Sequence, residues 1–335
     1  MQNTLVSILI PVKNTEGFLK ECLDSILQQE YKNWEVLAID DTSTDTSLAI
    51  LKDFAEKETR IKVYSNSGTG IIDALRLAYA KSNGAFITRM DSDDTMPTDK
   101  LSILVNNLLE HGKGHIATGK VSYFAKEGIS NGYARYEKWL NELTKKGTNF
   151  KEIYKECVIP SPCWMVHKED FDDCGAFFSS KYPEDYDLAF RFYEKGLKVI
   201  PCNQILHHWR DYNYRTSRTS EHYAANYFID LKMHYFLQLD FNPNRPLALW
   251  GAGNKGKEIA KILKKKGVSF TWHCDNQKKI GKEIYTKVLE HFNTISDLHN
   301  PQCVITVANE EEQLKIKSFL IEKNKQQGKD YFIFC

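Results

Sequence analysis

AFITRMDSDDTMP, residues 85–97, is the stretch on which the fold turns. Ala85–Met90 is mostly apolar and short enough to be a buried strand. It runs into three aspartates within four residues, Asp91-Ser92-Asp93-Asp94. Pro97 then opens a helical pattern with Leu101, Leu104, Val105 and Leu108 on one face.

The same strand–loop–helix unit recurs upstream. Leu5–Val12 is a continuous apolar run bounded by Asn14, which suits a buried parallel strand. Phe18, Leu19, Cys22, Leu23, Ile26 and Leu27 follow at helical spacing. Trp34–Asp40 reads as a second strand, and Asp45 is placed to cap a helix carrying Leu48, Leu51 and Phe54. Ile61–Ser65 reads as a third strand. Its helix turns Ile71, Ile72, Leu75, Ala78 and Tyr79 inward, with Gly84 expected as the C′ residue. This alternation predicts an α/β fold with a mostly parallel sheet and helices on both faces. Ligands of such sheets bind at the carboxyl ends of the strands. Three polar clusters fall there, Pro11–Asn14, Asp40–Asp45 and Asp91–Asp94, and are expected to converge on one pocket.

Downstream the pattern loosens over Val121–Lys155. Glu184–Glu194 reads as a helix, Val199–Trp209 as a strand and residues 220–239 as an aromatic-rich helix. DFNPNRP, Asp240–Pro246, is the expected linker. Beyond it, Leu247–Trp250 is a strand entering GAGNKG, residues 251–256, and a Lys-rich helix. Ser269–Asp275, Cys303–Ala308 and Tyr331–Phe334 read as further strands, with a helix near Glu310–Lys325. Two domains are therefore expected: 1–240, and a small Rossmann-like α/β domain over 241–335. Their charges differ. Residues 241–335 hold 16 basic and 10 acidic side chains, against 29 and 34 in the rest.

Composition narrows the function. With 335 residues, 42% hydrophobic and 27% charged, the chain is globular, not disordered. Its formal net charge of +1 excludes a generic polyanion binder, so no nucleic-acid partner is expected. It has no apolar run of about 18 residues, which predicts no transmembrane helix. The first residues lack a basic n-region, which predicts no signal peptide. The eight scattered cysteines include no CxxC and read as reduced thiols. A cytoplasmic chain is expected, with peripheral association at the inner membrane face.

Paired carboxylates at a strand end repel one another, and a hard cation such as Mg²⁺ or Mn²⁺ relieves this. The plain alternative for Asp91–Asp94 is a turn capping the next helix. Asp40-Asp41, at the preceding strand end, offers a carboxylate acceptor for a base N–H or a ribose hydroxyl, or else a helix cap. Glu184-Asp185 opens a helix. There Asp185 serves either as a general base or as simple charge complementarity to the helix dipole. His207-His208-Trp209-Arg210 and Arg215-Thr216-Ser217-Arg218 combine a metal-ligand type with phosphate-gripping arginines, or form a solvated polar loop.

Three stretches, in order, resemble glycosyltransferase family 2. SILIPVKNTEGFLKECLDSILQQEYKNWEVLAIDDTSTD (7–45) resembles its opening. GTGIIDALRLAYAKSNGAFITRMDSDDTMPTDKL (68–101) resembles its donor half, and PEDYDLAFRFYEKGLKV (183–199) its acceptor-side motif. The resemblance implies a GT-A fold and inverting transfer from a nucleotide-diphosphate sugar, a UDP-sugar first, to a glycan or lipid-linked glycan. It implies a role in surface polysaccharide assembly. It also implies that Asp93 meets a divalent cation, Mn²⁺ or Mg²⁺, and that Asp91 lies near the donor ribose. Asp41 and Pro11 would then take the base, Arg89 would be donor-side and Asp185 the catalytic base. The family's metal-binding histidine has no aligned counterpart, because Trp209-Arg210 is followed by Asp211-Tyr212. His208 is the nearby candidate, and Arg215 and Arg218 are candidates for the diphosphate.

Gly251, Gly253 and Gly256 fit G-x-G-x-x-G between a strand and a helix, and Asp275 lies 22 residues beyond Gly253. This is the dinucleotide-binding arrangement, a possible second nucleotide site. Its plain alternative is tight strand–helix packing. Three rival functions follow. A nucleotidyltransferase would want a Gly-rich loop where PVKNTEG stands. An NAD-dependent oxidoreductase would use GAGNKG and leave the first 240 residues unexplained. A non-catalytic sugar-nucleotide-binding protein would not need Asp91, Asp93 and Asp185 together.

Overall fold

The structure is a computed structural model that describes residues 4–126, 128–213, 215 and 228–335. Two compact units emerge. One comprises Met1–Asn149 and Val158–Arg215, the other Phe150–Cys157 and Thr216–Cys335.

The first unit opens with β1 (Val6–Val12), α1 (Leu19–Leu27), β2 (Trp34–Asp40), α2 (Ser47–Lys57), β3 (Ile61–Ser65), α3 (Ile71–Ala80) and β4 (Phe86–Arg89). It continues with α4 (Lys100–His111), β5 (His115–Thr118), β6 (Lys120–Phe124), α5 (Asn131–Lys146), β7 (Trp164–His167), α6 (Lys168–Asp173), α7 (Glu184–Glu194), β8 (Lys198–Val199) and β9 (Ile205–Arg210). Seven strands form one sheet in the order β3-β2-β1-β4-β7-β5-β8, while β6 pairs with β9 apart from it. β1 to β4 run parallel, and β7 runs antiparallel to both β4 and β5. All seven residues of β2 are buried, as a strand covered on both faces requires. Val6, Ile8, Ile10 and Val12 of β1 join one core with Leu19, Leu23 and Ile26 of α1 and Leu101, Leu104 and Leu108 of α4. α3 packs on β1 and β2.

Three expectations need correction. Gly84 is not the C′ residue of α3, which ends at Ala80 with Lys81 as a right-handed cap. It lies against β1: its N–H donates to Ser7 Oγ at 2.8 Å, and a Cβ would stand 2.6 Å from the Ser7 nitrogen. Gly84→Ala is therefore expected to cost about 1–3 kcal/mol by overpacking. An unchanged melting midpoint would show that β1 yields freely there. Pro97 does not begin α4, which starts three residues later with Asp99 as N-cap. Val199–Trp209 is not one strand, because Pro201 cannot continue a ladder. It divides into β8 and β9, in different sheets.

The second unit contains α8 (Ile229–Tyr235), β10 (Leu247–Trp250), α9 (Asn254–Lys265), β11 (Thr271–Cys274), β12 (Glu283–Ile284), β13 (Lys287–His291), β14 (Gln302–Ile305), α10 (Glu310–Glu322) and β15 (Tyr331–Ile333). Its sheet has the order β12-β13-β11-β10-β14-β15. All neighbours are parallel except the β12–β13 hairpin. Numbered along the chain, the parallel strands run 3-2-1-4-5, the order of a doubly wound sheet. Phe150–Cys157 joins this unit through Tyr154. Its ring stacks on Phe334 at 5.1 Å and meets Phe236 and Phe332 edge-on, and its hydroxyl donates to Asp240 Oδ2 at 2.5 Å. Cys22, Cys163, Cys174, Cys202, Cys274 and Cys303 are buried thiols outside any disulfide. Among the described residues no helix is long and apolar enough to cross a membrane.

Candidate active site

β2, β1 and β4 are adjacent and parallel, so their carboxyl ends bring Asp40-Asp41, Pro11 and Arg89–Asp94 side by side. The Asp41 N–H donates to Val12 O at 2.7 Å. Its Oδ1 accepts from Asn66 Nδ2 at 2.7 Å and Gly70 N at 3.0 Å, and its Oδ2 from Lys13 Nζ at 3.1 Å. Burial works to raise the Asp41 pKa, but these hydrogen bonds outweigh it and hold the carboxyl below its ordinary value. Asp40 Oδ1 is buried and has no hydrogen-bond partner among the described residues. Asn66 was not singled out from the sequence. Asn66 becomes relevant only because β3 lies beside β2.

Arg89 is the hinge of the site's charge. Its Nε donates to Asp91 Oδ1 at 2.9 Å and its Nη1 to Glu184 Oε1 at 2.8 Å. Arg89 and Glu184 are buried. The guanidinium thus joins the acidic turn after β4 to the first residue of α7. Asp185 follows immediately, with its Oδ1 accepting from Tyr186 N at 2.7 Å. Burial and the neighbouring Glu184 carboxylate push the Asp185 pKa up, against the pull of Arg89. A carboxyl raised in this way is suited to proton transfer.

In the acidic turn, Asp94 N donates to Asp91 O at 3.2 Å. Asp94 is not a helix cap. It is fully buried, accepting from His207 Nε2 at 2.9 Å and from Arg210 N at 2.8 Å. Asp93 Oδ2 accepts from the Tyr212 hydroxyl at 2.8 Å. Burial first, then Asp94, pushes the Asp93 pKa up to about 7, with Arg215 opposing. The histidine that meets the cluster is His207; His208, the residue expected from the sequence, makes no hydrogen bond to it. β9 alternates, so one residue decides which face is reached. The Arg215 guanidinium lies over Trp209 at 5.9 Å. Arg218 lies outside the described residues.

A divalent cation fits this donor set. Asp91 Oδ2 and Asp93 Oδ1 have no hydrogen-bond partner among the described residues, and burial first, then the neighbouring Asp94, raises the Asp93 pKa, a penalty on its charged form that a dication relieves. Among the described residues no three His, Cys, Asp or Glu side chains form a metal-binding group, so a cation there would take further oxygens from a ligand such as a diphosphate.

In the second unit, GAGNKG spans the turn after β10 and the first three residues of α9. Gly251 has φ +122°, and a Cβ on it would stand 2.4 Å from Thr306 Oγ1. A Cβ on Gly256 would stand 2.2 Å from Gly251 O. Packing thus accounts for both of these glycines, while Gly253 faces open space. Lys279 Nζ donates to Ala252 O at 2.7 Å, and Asp275 is exposed just after β11.

The family model for Glycosyl transferase family 2 matches residues 7–175, half of the chain. The chain is 28% identical over 211 residues to glycosyltransferase GlyA of Streptococcus pneumoniae serotype 4, covering 61% of this chain and 30% of GlyA. It is also 28% identical over 256 residues to an Escherichia coli protein, UDP-Glc:alpha-D-GlcNAc-diphosphoundecaprenol beta-1,3-glucosyltransferase WfgD, covering 74% of this chain and 90% of WfgD. Among solved structures, S. aureus TarS 1-349 in complex with UDP-GlcNAc matches with TM-score 0.56 at 18% identity, covering 78% of this chain and 71% of that one. Mannosyltransferase PcManGT from Pyrobaculum calidifontis, in complex with GDP-Man and Mn²⁺, matches with TM-score 0.51 at 18% identity, covering 70% and 63%. These likenesses show a GT-A fold.

Proposed function

Because the chain belongs to glycosyl transferase family 2, we propose that it transfers a sugar from a nucleoside-diphosphate donor to a hydroxyl of a glycan or lipid-linked glycan, with inversion. The observation that carries this reading is the Arg89 bridge, which sets Asp91 and Glu184-Asp185 on either side of one buried guanidinium. The donor base and ribose are assigned to Asp41, Asp40, Pro11 and Asp91. Asp93, beside Asp91, is assigned to a divalent cation, Mn²⁺ or Mg²⁺. When bound, such a cation neutralises charge on the leaving diphosphate. Arg215 adds fixed positive charge on the same side.

Asp185 takes the proton of the acceptor hydroxyl as that oxygen attacks the anomeric carbon. The bond from that carbon to the diphosphate oxygen breaks, and the diphosphate leaves with the electron pair. A direct displacement needs one base, unlike the paired carboxylates of retaining hydrolysis. The WfgD name records a UDP-Glc donor and a lipid-diphosphate acceptor, and the TarS complex holds UDP-GlcNAc. Both support UDP as the first donor nucleotide to test and surface polysaccharide assembly as the setting.

The test is thermal stability against UDP, GDP, CDP, dTDP and NAD, each with and without Mn²⁺. A ligand bound only by the folded state stabilises it by about 2.7 kcal/mol at a hundredfold excess over its Kd. A manganese-dependent rise in midpoint with one diphosphate is expected, and Asp93→Ala should remove it. A rise with NAD alone would overturn the reading and move the weight to GAGNKG and oxidoreductase chemistry. A rise in wild type that Asp93→Ala leaves intact would take Asp93 out of the cation site.

A further inference from the structure

Asp94, Lys100 and His207 are 0%, 1% and 0% exposed. One line of hydrogen bonds runs through all three. Lys100 Nζ donates to Pro162 O at 2.7 Å and meets His207 Nδ1 at 3.2 Å. An ammonium has no acceptor capacity, so Nδ1 supplies the lone pair and the imidazole proton sits on Nε2. That N–H is the one that reaches Asp94 Oδ2 at 2.9 Å. The other carboxylate oxygen accepts from Arg210 N. The imidazole is therefore neutral, with its tautomer set by the lysine. Burial first, and then the Lys100 charge, lowers the His207 pKa, consistent with this assignment.

The line draws on three separate elements. Asp94 closes the acidic turn, Lys100 is the first residue of α4, and His207 belongs to β9. A lone buried lysine or aspartate costs several kcal/mol, so each charge depends on the line being complete. β9 and the residues after it also hold Asp93. Arg210 Nε donates to Asp93 O at 2.7 Å, and the Tyr212 hydroxyl donates to Asp93 Oδ2. Seating His207 therefore sets the register of the segment that aims Asp93.

We propose that His207 is a positioning residue of the donor site. Held by Lys100 and seated on Asp94, it fixes the turn that presents Asp93, and so sets the strength of cation-dependent diphosphate binding. This rests on the donor-site reading above. The competing view is that the imidazole only fills the core.

Glutamine separates the two views, because its carbonyl and amide N–H reproduce the acceptor and donor of the neutral imidazole. His207→Leu removes both and keeps an apolar filling. Binding of UDP, or of whichever of GDP, CDP and dTDP shifts the wild type, is titrated with Mn²⁺ present, well below each variant's melting midpoint. His207→Leu is expected to weaken binding about 10–100-fold, the usual size for a residue supporting a metal ligand. His207→Gln is expected to retain most of it. Wild-type affinity in folded His207→Leu overturns the proposal, as does equal weakening by Gln and Leu. If His207→Leu does not fold, Lys100→Met frees the tautomer with Asp94 and His207 in place. Weakened binding is expected there too, and undiminished binding is the overturning result. Failure of the wild type to bind any of the four diphosphates sinks the donor-site reading, and this inference with it. Normal wild-type binding with an unaffected His207→Leu sinks this inference alone.

Discussion

Asp185→Asn is expected to lower kcat by about 10²–10⁴-fold, the usual contribution of a positioned general base. The substitution keeps shape and removes only the ability to take a proton. Diphosphate binding should stay near wild type, because Asp185 belongs to α7 and no hydrogen bond joins its carboxylate to Asp91 or Asp93. The wild-type pH profile carries a second mark. Burial and Glu184 raise the Asp185 pKa, so the free base forms only above the ordinary carboxylate value of about 4. Activity is therefore expected to fall as pH drops through that raised value, with the acid limb shifted towards neutrality. The limb should vanish from the residual activity of Asp185→Asn. Unchanged turnover, or a limb that survives in the variant, would place the base elsewhere.

Arg89→Met is expected to be the most damaging single change to the site. It leaves the buried Glu184 carboxylate and the partly buried Asp91 carboxylate without their shared countercharge, a loss of the kind that costs about 3–5 kcal/mol when a buried pair is broken. At roughly 2–4 °C per kcal/mol for a domain of this size, the melting midpoint should fall by about 10 °C. Transfer should fall as well, since Glu184 anchors the first turn of α7 that carries Asp185. Adding Glu184→Gln to Arg89→Met should recover part of the midpoint by removing one orphaned charge, without recovering activity. Arg89→Lys should do worse than charge alone suggests, because an ammonium cannot span two carboxylates as a planar guanidinium does. A midpoint and turnover both at wild-type level in Arg89→Met would show that the bridge is incidental.

Periodicity and local punctuation were enough to place the strand ends of β1, β2 and β4 and the span of α7. Those signals live within a few residues of one another: apolar runs, helical spacing and Pro183 before the helix. The α/β class and the nearness of the three polar clusters follow from such signals, because parallel crossovers leave few ways to order the strands. The partners of the site residues were not readable in that way. Arg89 reaches Glu184 across 95 positions, and His207 reaches Asp94 across 113. Choosing His207 over His208 requires knowing which face of β9 meets the acidic turn, and a shift of one residue reverses that answer. Tyr154 looked like part of a loose stretch until Phe334, far along the chain, stacked on it. Sequence pattern thus specified which elements form and which residue types stand at their ends. Strand order and register, which only long-range packing sets, determined which charges meet.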